Sequence, residues 1–416
     1  MSPSSHRPTG FGSRITIILL AGLLILLMMI ATVSAKGNLP RAANNQAYFP
    51  LAINRTGFAI MPVGDNFIDV TEITHAGDDR LFVTERAGVV KVLHPDGSVN
   101  VFLDIRNEVI SHRGEYGFFD IAFHPGYKDP TSPGYGLFYV SYTSGFDDGV
   151  TLKVDFIIAR YRVSTNPDVA DRATKTNLLV EKQSFDVHKG GELEFDSRNN
   201  MLYVGMGDDR LLNIAQSDRS PKGKIFRLDV DQVPSDVTGD GRGYVSDEIW
   251  ALGLRNPWRF DIDEQTNRIF VGDVGDLRWE EINLVPLGLR GQNYGWHCME
   301  GPEIIPEAND HPECESPHLF VRAIHEYPHR DGSGRCAVIA GHVNRPVNNP
   351  NDGRFIFADM CTREIFSLSN VDGVWVRSLL GIHAGNLIST IGEDINGLQY
   401  LGTVGAPGPI YRLFIP

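Results

Sequence analysis

Regular helical periodicity is nearly missing from this sequence of 416 residues. The sequence also lacks the phosphate-binding pattern G-x-x-x-x-G-K-[ST] and the nucleophile elbow G-x-S-x-G. No G-x-G-x-x-G lies between a strand pattern and a helix pattern. A mainly helical fold is therefore excluded, and nucleotide-phosphate and acyl-transfer chemistry are left without their usual signals.

Basic residues are fewer than acidic residues in this sequence. There are 38 Lys and Arg against 52 Asp and Glu, which gives a formal net charge of −14. A protein that binds nucleic acid normally offers a basic face to the phosphates. We therefore expect no nucleic-acid partner.

The N-terminus carries the one long apolar run. Arg7 and Arg14 precede a hydrophobic stretch that extends to about Val33, and Ala35 supplies a small residue at a cleavage position. Residues 1–35 are predicted to be a signal peptide or, if uncleaved, a membrane anchor. Residues 36–57 would be a tether, and residues 58–416 the folded domain. The sequence predicts a secreted or extracytoplasmic protein that meets a membrane only through this segment.

Cysteine is scarce, and all four cysteines fall within one short stretch. They are Cys298, Cys314, Cys336 and Cys361. An even number in an exported protein indicates disulfides, and the C-x-x-C spacing typical of zinc sites is absent. Three pairings are possible. We favour Cys298–Cys314, which closes a local loop, and Cys336–Cys361, which joins two nearby strands.

Short β-rich runs recur between turn residues over most of the chain. They begin near residues 78, 135, 199, 267, 353 and 396. Each combines a turn, an apolar strand and a small-residue bend, usually followed by a second strand. The 43 glycines and 24 prolines suit a design with many loops. The recurrence predicts an all-β, six-bladed β-propeller of four-stranded blades. A pair of sandwiches and a β-helix are the alternatives.

Two motifs suggest metals. The stretch HEYPH at residues 325–329 matches H-E-x-x-H, but that zinc site requires a continuous helix, and Pro328 in a β-rich neighbourhood argues against one. A second stretch, residues 236–247, has the oxygen spacing of a calcium loop without flanking helices. Its candidate ligands are Asp236, Thr238, Asp240 and Asp247. A plain acidic turn is the alternative.

Two loops carry the candidate catalytic residues. His188 precedes Gly190 and Gly191 in DVHKGGELEF, where it is either a general base or an ordinary turn residue. Arg255 and Asn256 precede Pro257, and their guanidinium and amide offer several donors to the oxygens of a ligand. Alternatively, Arg255 holds its own loop. In a propeller, loops distant in sequence converge on one face.

Seven segments appear in an order that resembles one family. They include EYGFFDIAFHPGY, HKGGELEFDSRNNMLYVGMGDD, IWALGLRNPWRFDID and EYPHRDGSGRCAVIAGHVNR. The chain resembles the glucose/sorbosone dehydrogenases, which are soluble quinoproteins, over roughly residues 60–414. It also looks like the branch that includes the hedgehog-interacting-protein propellers, where the fold serves binding.

The resemblance implies a propeller that binds pyrroloquinoline quinone (PQQ) and calcium and oxidises the C1 hydroxyl of aldoses. His188 would take the hydroxyl proton, and Arg255, with Asn256 beside it, would polarise the quinone carbonyl. Glu115 and Trp296 would face the cofactor. The partners would be a small-molecule sugar and an external electron acceptor.

The sequence departs from the family pattern at two places. Glu115 stands where the family usually presents an amide, and no basic residue lies between Asn386 and Tyr400, where the family carries two arginines. PQQ has three carboxylates, which are costly to bury without cations. The alternative function is a non-catalytic extracellular propeller that binds a glycan or a protein.

Overall fold

The fold is a closed ring of small antiparallel sheets. The computed structural model describes residues 57–211, 213–231, 248–306, 311–329, 331–345 and 353–416. Six sheets, which we call blades 1 to 6 in chain order of their first strands, follow one another around an axis. The first strand of each blade packs against the first strand of the next, and blade 6 packs against blade 1.

The first three blades occupy the N-terminal half of the ring. Blade 1 consists of β2 (Val70–His75), β3 (Leu81–Glu85), β4 (Val89–Leu93) and β5 (Val99–Asp104). Blade 2 consists of β6 (Phe118–Phe123), β7 (Leu137–Asp147), β8 (Leu152–Val163) and β9 (Ala170–Gln183). Blade 3 consists of β10 (Gly190–Asp196), β11 (Met201–Met206), β12 (Lys224–Asp229) and β13 (Ile249–Leu252), extended by the short parallel strand β17 (Gln292–Asn293).

The other three blades complete the ring. Blade 4 consists of β14 (Pro257–Asp263), β15 (Arg268–Asp273), β16 (Trp279–Pro286) and β20 (His325–Pro328). Blade 5 consists of β21 (Val338–Asn344), β22 (Arg354–Asp359), β23 (Glu364–Val371) and β24 (Val374–Ile382). Blade 6 consists of β25 (Leu387–Glu393), β26 (Gln399–Val404), β27 (Gly408–Phe414) and β1 (Ala59–Phe67).

Short elements fill the remaining described loops. A small hairpin pairs β18 (Met299–Glu300) with β19 (Glu303–Ile304). Three 3-10 turns occupy Ile214–Gln216, Pro312–Cys314 and Pro317–Leu319. In the part of the chain described here, no helix has both the length and the apolar character needed to span a membrane.

Each blade packs on both of its faces, which explains the sequence pattern. A separate apolar cluster fills each of the six spaces between neighbouring blades. The rings of Phe102 and Phe138, with centres 5.1 Å apart, pack together between blades 1 and 2, for example. Middle strands are therefore buried along nearly their whole length, as in β3, while the outer strand β24 alternates with solvent. The predicted six-bladed all-β propeller is confirmed.

Other expectations are settled by the described residues. The favoured disulfides, Cys298–Cys314 and Cys336–Cys361, are both present. The HEYPH stretch forms β20, a strand, as expected from Pro328. The predicted calcium ligands Asp236, Thr238, Asp240 and Asp247 lie outside the described residues, as do residues 1–56 with the predicted signal or anchor.

The axis of the ring is lined by charged side chains from the first strands of the blades. Arg259 is buried there among Glu72 and Glu192, with 3.4 Å from its Nε to Glu72 Oε2 and a direct hydrogen bond to Glu192. It also donates to the carbonyl of Phe119 at 3.0 Å. The acidic residues of this channel are Glu72, Asp120, Glu192, Glu194, Asp261 and Glu393. They outnumber the two cations, Arg259 and His342.

Because these acidic side chains are buried close to one another, pKa values in the channel are shifted. Burial raises the pKa of Glu194 well above its usual range, and the neighbouring Asp261 adds to the shift. Burial acts to lower the pKa of His342, but Glu393 and the hydrogen-bonded Asp261, at 2.8 Å, raise it well above 6.5. The channel therefore retains protons that the unfolded chain would release.

Replacing Arg259 by Met should strongly destabilise the fold, because Glu72 and Glu192 would remain buried without their cation. We expect a loss of about 3–5 kcal/mol in the free energy of unfolding, measured by urea denaturation. The matched control is Arg268→Met, on the exposed end of β15, which should change stability by no more than about 0.5 kcal/mol. Equal effects of the two variants would show that the channel ion pairs contribute nothing.

The contribution of Glu194 and His342 to stability should fall as pH rises, beginning at about 4.5 for Glu194 and about 6.5 for His342, the usual pKa values of the two groups. Glu194 has a raised pKa in the fold, so the folded state holds a proton that the unfolded state has lost. His342, with its pKa also raised, loses its stabilising proton in the same direction. Urea denaturation across this range should show the fall, and Glu194→Gln should reduce its slope by up to about 1.4 kcal/mol per pH unit. The exposed-site control Glu315→Gln should leave the slope unchanged, and a slope that Glu194→Gln also leaves unchanged would contradict the assignment.

Candidate functional site

Three loops that enter first strands meet at one end of the ring. Glu115 lies just before β6, His188 just before β10, and Arg255 just before β14. Because these strands are equivalent members of consecutive blades, the loops that precede them lie on the same face. Trp296 joins them from the segment that follows β17.

His188 is held by an aspartate. Its Nδ1 lies 2.6 Å from Oδ1 of Asp208, and Oδ2 of Asp208 accepts the indole N–H of Trp296 at 2.7 Å. The backbone N–H of Arg210 also donates to Oδ1, at 2.7 Å. The His188 side chain is 11% exposed and that of Asp208 5%. This arrangement fixes the imidazole with Nδ1 toward the carboxylate, so that Nε2 is the nitrogen that can meet a ligand.

The backbone of the His188 loop is tightly constrained. His188 adopts a left-handed conformation with φ of 55°, and Gly190 and Gly191 continue with φ of 61° and 114°. Gly207, at the end of β11, faces this loop so closely that a Cβ there would lie 2.2 Å from the carbonyl oxygen of His188. Only glycine at position 207 allows the two loops to approach in this way.

Arg255 is buried at the base of the site, with 7% of its surface exposed. Its Nη1 donates to the carbonyl of Val274 at 2.9 Å, and its Nη2 to Asp276 at 2.7 Å. Its guanidinium carbon lies 5.5 Å from the ring centre of Trp296. Among the described residues, its buried Nε has no hydrogen-bond partner. Asp273 fixes the loop by accepting the backbone N–H of Arg255 at 2.9 Å and that of Asn256 at 2.7 Å.

Asn256 ties the loops of blades 2, 3 and 4 together. Its Oδ1 accepts the backbone N–H of Gly190 at 2.9 Å, and its Nδ2 donates to Glu115 at 3.3 Å. Glu115 also accepts the backbone N–H of Lys189 at 2.9 Å. The side chain of Asn256 is therefore engaged within the protein, and it positions the neighbouring loops.

A cluster of buried ion pairs between side chains packs against the His188 loop. Lys189 and Lys222 both donate to Asp209, at 2.5 and 2.8 Å, and all three side chains are nearly inaccessible. Asp209 also accepts the backbone N–H of Ser184 at 2.6 Å. Burial lowers the pKa of Lys189 against the opposing effect of Asp209. The cluster anchors the chain on both sides of His188 and Asp208.

The structure brings five residues predicted from sequence into one site. They are Glu115, His188, Arg255, Asn256 and Trp296. The sequence patterns do not identify Asp208, which is the partner of both His188 and Trp296. Its position just after β11, at the same end of the ring as His188, is the feature that could have identified Asp208 as part of the site.

A six-bladed propeller with an aspartate-held histidine and a buried arginine at one end defines a class, the sugar dehydrogenase-like propellers. The family model for glucose/sorbosone dehydrogenase matches residues 69–326, more than half of the chain. The chain belongs to this family.

Its relatives include both sugar dehydrogenases and proteins named for binding. The HIPL1 protein of Arabidopsis thaliana is 28% identical over 75% of this chain and 52% of its own length. The human Hedgehog-interacting protein is 31% identical over 51% of this chain and 33% of its own. The aldose sugar dehydrogenase YliI of Escherichia coli is 25% identical over 52% and 55%. The chain spans about half the length of the first curated relatives it matches.

Solved structures share the fold. The apo-form soluble aldose sugar dehydrogenase from Escherichia coli has a TM-score of 0.67 at 19% identity, covering 86% of this chain and 99% of that one. The PQQ-bound aldose sugar dehydrogenase from Streptomyces coelicolor has a TM-score of 0.64 at 17% identity, covering 90% and 100%. At these identities the likeness establishes the propeller fold.

Replacing Gly207 by Ala should disturb the site, because the added Cβ would meet the His188 carbonyl oxygen at 2.2 Å and Asn256 Oδ1 at 2.7 Å. We expect a loss of about 1–3 kcal/mol in the free energy of unfolding, measured by urea denaturation. Gly288→Ala is the matched control, since the nearest atom to its Cβ is Asn267 Nδ2 at 3.6 Å, and it should stay within about 0.5 kcal/mol of the native chain. If Gly207→Ala were equally neutral, the close approach of the two loops would be wrong.

Proposed function

We propose that this protein is a PQQ-dependent dehydrogenase that oxidises a CH–OH group of aldoses or related polyols. The observation that carries the proposal is the pairing of an aspartate-held histidine with a buried arginine that has an unused donor. Membership of the glucose/sorbosone dehydrogenase family supports it. The substrate would be a small sugar, and an external acceptor would reoxidise the protein.

His188 is proposed as the general base. Asp208 holds Nδ1, so Nε2 would accept the proton of the substrate hydroxyl. Asp208 would stabilise the resulting imidazolium, as the aspartate does in a serine-protease triad. Asp208 is a positioning residue in this scheme, and Trp296 and the Arg210 backbone hold it in turn.

Arg255 is proposed as the residue that stabilises negative charge on the cofactor. PQQ, when bound, would supply a quinone that accepts a hydride, which is one proton with two electrons, from the substrate carbon. The unpartnered buried Nε of Arg255 and the adjacent face of Trp296 fit such a carbonyl, because a fixed cation favours charge that develops on an oxygen. Asn256 would hold the loop that carries Arg255 against the His188 loop, through its hydrogen bond from Gly190.

The carboxylates of PQQ need further positive charge. Asp208, Glu115 and Asp276 surround the site, and Arg255 contacts only Asp276 among them through its side chain. A calcium ion would compensate this excess of negative charge, as the family resemblance implies. The loop at residues 236–247 stays a proposed source of calcium ligands, and the proposed export rests on the sequence of the N-terminal segment.

A second candidate is a non-catalytic propeller that binds a glycan or a protein. Two observations favour it. The chain is 31% identical to a protein named Hedgehog-interacting protein, and no basic residue lies between Asn386 and Tyr400. Blade 6 therefore lacks, in this stretch, the cations that the family resemblance implies.

His188→Gln should separate the two functions. The purified chain is titrated with PQQ in the presence of calcium, followed by absorbance and calorimetry, and dye reduction is then measured with a panel of aldoses. We expect binding of PQQ by both native and variant protein, and a loss of about 10²–10⁴-fold in kcat in the variant, because the general base is removed.

The matched control is His94→Gln, because His94 lies in the loop between β4 and β5, pairs with Asp168 at 3.5 Å and has no part in the proposed reaction; this variant should leave kcat unchanged. Arg255→Met should weaken PQQ binding itself. Absence of PQQ binding and of turnover with every sugar by folded native protein would overturn the dehydrogenase proposal and favour the binding propeller.

A further inference from the structure

A cluster of side chains of the types that bind metals lies beside the candidate site. His297, His311 and Glu313 each place a ligand atom within 4.8 Å of those of the other two. The Nδ1 atom of His311 lies 3.8 Å from Oε1 of Glu313. None of the three takes part in the chemistry proposed above.

The environment of His297 is a second, independent indication of a ligand at this cluster. It is 5% exposed, and neither of its ring nitrogens has a hydrogen-bond partner among the described residues. Buried polar atoms are almost always satisfied, so a buried imidazole with two orphaned nitrogens requires an explanation. When an imidazole coordinates a metal, the lone pair of its acceptor nitrogen is donated to the metal and no longer needs a hydrogen-bond donor.

The two imidazoles have the separation of histidines that share a metal. Their ring centres are 5.0 Å apart, and their planes are nearly perpendicular, at 89°. Two imidazoles on one tetrahedral zinc, with Zn–N distances of about 2.0–2.1 Å, place their ring centres about 5 Å apart.

The local covalent structure holds these ligands together. His297 directly precedes Cys298, Glu313 directly precedes Cys314, and these cysteines form a disulfide with a Cα–Cα distance of 5.2 Å. Because both sulfurs are bonded to each other, they are not thiolate ligands in the oxidised protein. The disulfide therefore brings an imidazole and a carboxylate to the same place and leaves nitrogen and oxygen as the ligand set.

Asn213 provides the outer contact that metal-bound histidines usually have. Its Nδ2 lies 2.9 Å from Nδ1 of His311, while its buried Oδ1 has no partner among the described residues. With the amide turned so that its oxygen faces His311, this contact becomes a hydrogen bond that His311 donates. Oδ1 would then accept Nδ1–H of His311 and leave Nε2 with the lone pair for a metal.

We propose that His297, His311 and Glu313 form a binding site for a divalent transition metal, with zinc the best match. Two imidazoles and one carboxylate are ligands that zinc prefers, whereas calcium takes oxygen ligands almost exclusively. Water would complete the four-coordinate shell. The metal would fix the segment that carries Trp296, which directly precedes His297 and donates to Asp208.

The test is a zinc titration of the intact, oxidised chain after removal of metals with a chelator. Free thiols are assayed first, to verify that both disulfides are formed. Calorimetry with zinc chloride in the presence of excess calcium should show one zinc bound per chain. Cobalt(II) in place of zinc should give the absorption of a tetrahedral ion without a thiolate-to-metal band, which identifies nitrogen and oxygen ligands.

His311→Ala is the main variant, since the side chain is 33% exposed and its removal should leave the fold intact. We expect it to weaken zinc binding at least about 100-fold, and His297→Ala to do the same. His318→Ala is the matched control, because this exposed histidine lies close by in sequence and should leave the affinity unchanged. A native chain that binds no zinc, or an affinity unaffected by His311→Ala and His297→Ala, would overturn the site.

Discussion

Closure of the ring is the constraint on which every other feature depends. Strand β1, from the N-terminal end of the propeller, pairs antiparallel with β27, from the C-terminal end, with Ala59 opposite Phe414. This pairing completes blade 6 with strands from both ends of the domain, so that blade 6 can pack against blade 1. Apolar surface is then buried on both faces of every blade, and the stability of each blade depends on both neighbours.

Closure also creates the charged axis and the candidate site. When six first strands converge, their alternate side chains point toward a common channel, where Arg259 binds acids from two other blades. The loops before those strands converge at one end of the same ring. Asn256 exploits this convergence, since one amide contacts loops of blades 2 and 3 from a position in blade 4. The position of His188 is therefore determined by three blades together.

The family comparison shows why the fold alone does not decide function. Sugar dehydrogenases and proteins named for binding Hedgehog share sequence with this chain. A propeller is a scaffold, and the chemistry is in the side chains at the mouth of its channel. A reaction would use the pairing of His188 with Asp208 and the Arg255 Nε, which has no hydrogen-bond partner among the residues the structure describes. A binding function would tolerate the lack of basic residues between Asn386 and Tyr400.

The sequence by itself determined the propeller, because apolar strands between turn residues recur six times and each must bury both faces. It also pointed to His188, Arg255 and Asn256 as candidates, through the ordered motifs that resemble the glucose/sorbosone dehydrogenases. The partnership of Asp208 with His188 and Trp296, the acids around Arg259, and the approach of His297 to His311 were decided only by tertiary structure. These contacts join residues from separate blades and loops, and a local sequence pattern carries no information about which loops a closed ring will bring together.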